Sequence, residues 1–62
     1  MKKAYATYEI INGFYHIELT INKEFAGGGT TPTLNTYEKA YNFACMIANS
    51  KNSRLETFRR IN

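Results

Sequence analysis

The chain contains no aspartate, tryptophan, valine or glutamine, and one each of cysteine, histidine and proline in its 62 residues. Each scarcity excludes something. Cys45 has no second cysteine for an internal disulfide, and with His16 as the lone imidazole there is no ligand set for a structural zinc site. All five acids are glutamates, spread roughly one to an element, so no pair of carboxylates is placed for acid/base work. No apolar run approaches the roughly 20 residues a membrane-spanning helix needs. Lys2-Lys3 looks like the charged start of a secretory leader, but Tyr5, Thr7, Tyr8 and Glu9 interrupt the apolar core such a leader requires. The expectation is a reduced, cytoplasmic protein without cofactor or metal.

What is present is a formal charge of +3, with 44% apolar and 15% aromatic residues, which suits one small domain over residues 1–62. A chain of this length buries only about 60% of the surface its unfolded form exposes, so most apolar positions must serve the core. Little is left to frame a deep pocket. Asn, Lys, Ile, Tyr and Phe make up 27 of the 62 residues, and their A+T-rich codons point to a low-GC bacterium or a phage as source.

The strongest local signal is Asn12-Gly13 between two strand-like runs, because that dipeptide fits both left-handed positions of a type I′ turn. A hairpin over residues 3–22 follows. A two-residue loop would set Ile10 opposite Tyr15, Tyr8 opposite Ile17, Ala6 opposite Leu19 and Ala4 opposite Ile21, all apolar or aromatic pairs. The other face would carry Ile11 with Phe14, Glu9 with His16, Thr7 with Glu18 and Tyr5 with Thr20. Turn and binary pattern agree on one register.

Residues 36–49 follow helical spacing, with Tyr37, Ala40, Tyr41, Ala44, Ile47 and Ala48 on one stripe that Phe43 and Met46 widen. Asn35 is the expected cap, with Glu38 three residues on. Ala40, Ala44 and Ala48 would let the helix lie close to a sheet. Residues 22–35, with Gly27-Gly28-Gly29 and Thr30-Thr31-Pro32-Thr33, read as a flexible loop, long for a compact domain.

The tail admits two readings. Ser53 with Glu56 resembles a capping box, and Leu55, Phe58 and Ile61 fall at helical spacing, whereas Leu55, Thr57 and Ile61 share one face of a strand. A hairpin with one helix is a poor sheet, and a third strand completes it. The expectation is therefore an α+β fold of β-β-α-β order, with the helix on one sheet face and a strand at 54–61; a short helix is the alternative for the tail.

Chemistry finds few candidates. His16 is the sole general base and sits opposite Glu9, where a cross-strand pair accounts for it. Cys45 falls in the helix as a small half-buried thiol. The glycine triplet lacks the Lys-Ser/Thr of a phosphate loop and opens no helix. The expectation is that the protein is not an enzyme. What remains is surface: Tyr5, Ile11, Phe14 and His16 on the uncovered sheet face, joined by Phe58, Arg54 and Arg60 if the tail has that parity. Aromatics interleaved with arginine suit a protein interface or single-stranded nucleic acid. The densest basic cluster is Lys51, Arg54, Arg59 and Arg60.

In its order of features the chain resembles the small RNA polymerase inhibitors of T7-like phages, which have a β-β-α-β layout. The similar stretches are Lys3 to Glu9, the Thr33-Leu34 to Ala48 helix with its Glu38-Lys39-Ala40 start, and Leu55 to Arg60. The chain departs from that family in its Gly-Thr-Pro segment and its few acids. The resemblance implies that Arg59 and Arg60 grip a host polymerase, and the layout is shared by other short phage proteins, including anti-CRISPR inhibitors of bacterial defence. The combined expectation is a phage-encoded, monomeric or homodimeric inhibitor of a large host protein complex. Its partner-binding residues would be Arg54, Arg59, Arg60, Tyr5, Phe14, His16 and Phe58. The alternative is a single-stranded RNA or DNA binder using the same aromatic and basic residues.

Overall fold

The computed structural model describes all of residues 1–62. The elements are β1 (Lys2–Ile11), β2 (Phe14–Ile21), β3 (Glu24–Gly29), α1 (Tyr37–Ser50) and β4 (Ser53–Arg60), with one sheet of strand order β3-β2-β1-β4. This is the expected α+β arrangement with one strand added ahead of the helix. The first hairpin has the expected turn, Asn12 and Gly13 both at positive φ (54° and 85°), and its eight cross-strand pairs run from Ile11↔Phe14 to Ala4↔Ile21 in the register the sequence predicts.

The segment expected as a flexible loop divides. Its residues 24–29 pair antiparallel with β2, after a second tight turn in which Asn22 and Lys23 take φ of 55° and 64°. The sequence hides this turn because lysine stands where glycine is the usual signal. Within β3, Ala26 is an extra residue between the pairs Thr20↔Phe25 and Leu19↔Gly27. Gly28 sits so close to β2 that a Cβ there would collide with the Ile17 carbonyl, so the triplet is a close-approach strand, not a linker. Beyond it, Leu34 N–H bonds to the Thr31 carbonyl at 3.0 Å around Pro32, and Tyr15 N–H donates to the Leu34 carbonyl at 2.8 Å. That return seats Leu34 in the core at 4% exposure.

The helix begins one residue later than expected. Thr36, in extended conformation, is the cap and accepts the Lys39 N–H through Oγ1 at 3.2 Å, while Asn35 accepts the Lys39 ammonium at 3.4 Å. The helix buries Ala40, Ala44 and Ala48 completely against a sheet face that buries Ala4, Ala6 and Leu19 as fully. Five of the nine buried apolar residues are thus alanine, and the helix lies close over the sheet, nearest to β4 and β2, because little side chain intervenes. Ring stacking fills the wider end of the core. Tyr8 stacks on Phe58 with centroids 4.5 Å apart and meets Tyr15 at 5.1 Å, and Phe58 meets Tyr37 at 5.4 Å and Tyr41 at 5.7 Å edge-on.

The tail is a strand, parallel to β1, and its register shifts once: Ala4 pairs with Leu55 and Tyr5 with Thr57, leaving Glu56 as a bulge. The bulge reverses the alternation, so Leu55 and Phe58 both face the helix although three positions separate them.

Candidate functional site

Because the even residues of β1 and the odd residues of β2 enter the core, the opposite parity forms a second face that no helix covers. Across it lie Lys3, Tyr5, Thr7, Glu9 and Ile11 of β1 and Phe14, His16, Glu18 and Thr20 of β2. The register adds Phe25 from β3, beside Thr20, and Arg54, Thr57 and Arg59 from β4. Tyr5 and Ile11 are 44% exposed, Phe14 37% and Phe25 70%, so large apolar side chains reach water from three of the four strands.

The face is concave at one end. Ile11, Asn12, Phe14 and His16 meet the returning segment Thr30–Pro32 around a hollow of about 380 Å³. A smaller hollow, about 150 Å³, lies between Thr7, Glu9, His16, Glu18 and Ile61, so His16 forms a wall common to both. No ion pair forms between His16 and Glu9. The lone ion pair of the protein is Arg54 Nε with Glu56 Oε2 at 2.9 Å, on this face at the bulge. Lys3 and Arg59 on one side and Glu9 and Glu18 on the other have no ionic partner within the chain.

Of the residues expected to bind a partner, Tyr5, Phe14, His16, Arg54 and Arg59 share this face. Phe58 does not. The Glu56 bulge turns it onto the helix side, where its ring stacks on Tyr8 and belongs to the core. Arg60, paired with Tyr8, is likewise on the helix side at the end of β4, its Nε 3.4 Å from Asn62 Oδ1. Sequence reading missed Phe25 and the Thr30–Pro32 wall, because both lie in the segment taken for a loop. The available signal was Phe25-Ala26 shortly after Asn22-Lys23, a pair able to form a tight turn.

No helix is long and apolar enough to cross a membrane. Comparison with protein-family profiles, curated proteins and solved structures finds no match to this chain.

Proposed function

We propose that this protein is a non-enzymatic protein-binding module that docks through the open face of its sheet. In the direction implied by the resemblance to phage inhibitors, its partner is a large cytoplasmic host complex that it inhibits by occupying a surface. One observation carries the reading: exposed Tyr5, Ile11, Phe14 and Phe25 lie among charges of both signs. An apolar centre with a mixed polar rim suits a protein partner. A phosphate backbone would meet Glu9 and Glu18 unshielded in the middle of the same face, so the balance favours protein over single-stranded nucleic acid. Four strands about 4.8 Å apart and some eight residues long, at about 3.3 Å each, give on the order of 500 Å². That is sufficient for the core of an interface.

Affinity capture of host lysate on the tagged protein tests this. The expected result is a stoichiometric protein partner retained by the native chain and lost from Phe14→Glu, whose side chain lies on the open face outside the buried core. Recovery of nucleic acid alone, or a partner indifferent to Phe14→Glu and Tyr5→Ala, overturns it.

A further inference from the structure

The sheet has two free edges, and they are not equivalent. β3 is six residues long, contains three glycines and a bulge at Ala26, and offers few side chains by which to select a neighbour. β4 has eight residues with a side chain at every position and is paired with β1 alone. Its outer N–H and C=O groups are an unoccupied half-ladder.

The surroundings of that edge differ on its two sides. On the helix side, Phe58 is met edge-on by Tyr37 and Tyr41, whose rings stack 6.2 Å apart and remain 52% and 40% exposed. These rings form an aromatic wall rising beside the edge. On the open side stand Arg54 and Arg59. Arg54 is engaged by Glu56, whereas Arg59 has no ionic partner. The bulge at Glu56 breaks the ladder, and the stretch Thr57–Arg60 beyond it pairs regularly with β1.

We infer that β4 accepts an extended peptide as an added strand along Thr57–Arg60, and that the peptide fitting it alternates acidic and apolar residues. Successive side chains of a strand point to opposite faces, so one set packs against Phe58, Tyr41 and Tyr37 while the other lies beside Arg59. Backbone hydrogen bonds supply the sequence-independent part of the affinity, and the aromatic wall and Arg59 supply the selection. This surface shares Arg59 with the open face but does not depend on the open-face docking proposed above.

The test is an amide NMR titration of the full chain with a blocked peptide of alternating glutamate and valine, beside a lysine-valine peptide of equal length. The glutamate peptide is expected to give saturable shifts at the amides of Thr57–Arg60 and at the Tyr41 ring. The lysine peptide should bind at least about tenfold more weakly, and Arg59→Glu should invert that order. N-methylation of alternate peptide residues should abolish binding of one methylation register, because only one edge of the peptide faces β4. Absence of saturation, equal binding of both N-methylated registers, or shifts confined to Tyr5 and Phe14 each overturns strand addition. The last of these leaves open-face docking standing, while β4 shifts that persist in Phe14→Glu support strand addition whatever becomes of the other reading.

Discussion

The side chain of Asn62 pairs with the backbone of Ile10 as another peptide unit would: Ile10 N–H donates to Oδ1 at 3.1 Å, and Nδ2 donates to the Ile10 carbonyl at 3.1 Å. β4 ends at Arg60 while β1 runs on to Ile11. Ile61 N–H still reaches the Tyr8 carbonyl at 2.9 Å, and the amide then extends the ladder by one more rung. Two polar groups at the end of a parallel pairing are satisfied by one side chain.

Asn62→Ala therefore removes both hydrogen bonds to the Ile10 backbone at once. The expected loss is about 1 kcal/mol, small because the site is solvent-exposed. Chemical denaturation of the two chains measures it, and an unchanged midpoint would show that the pairing contributes nothing.

Lys23 holds φ at 64° in the β2–β3 turn, a conformation that costs a residue with a Cβ more than it costs glycine. Lys23→Gly should stabilise the fold by about 0.5–1 kcal/mol, read as a higher melting temperature. Gly13→Ala, the reverse change in the first turn at φ 85°, should lower it by a similar amount.

Ala44 is fully buried between helix and sheet, in the middle of the Ala40, Ala44 and Ala48 stripe. Enlarging it to valine has no cavity to fill, and a destabilisation of about 1–3 kcal/mol is expected in equilibrium unfolding. Met46→Ala, on the same helix at 61% exposure, is the control and should change stability by less than about 0.5 kcal/mol.

The phenol of Tyr41 is held above its ordinary 10.0, first by a hydrogen bond with the Cys45 thiol one helical turn on and then by the charge that thiol carries when ionised. Because the folded value lies above the unfolded one, this contribution to stability is complete below pH 10.0 and is lost as pH rises through the folded value. An alkaline titration of Tyr41 should show a late phenol that moves back toward the ordinary range in Cys45→Ala, where the largest cause of the shift is removed.

The first hairpin was legible residue by residue, because a two-residue Asn-Gly turn leaves one register and the apolar alternation selects the same one. The helix was legible from its alanine stripe, with only the cap displaced from Asn35 to Thr36. β3 was not, since three glycines carry no pattern and Asn22-Lys23 lacks the glycine that marks such a turn.

The tail shows most clearly where local sequence runs out. Leu55 and Phe58, three positions apart, read as one face of a helix; in the structure they are one face of a strand broken by the Glu56 bulge. That bulge is chosen by the helix above, which offers both side chains an apolar surface, and it moves Phe58 from the open face into the core while leaving Arg54 and Arg59 outside. The sequence alone thus determined the hairpin, its register, the helix and the absence of disulfide pairing within the chain. Which strands form the edges, and which aromatics remain in water, was decided by tertiary packing, because strand order and bulges answer to contacts between segments distant in the chain.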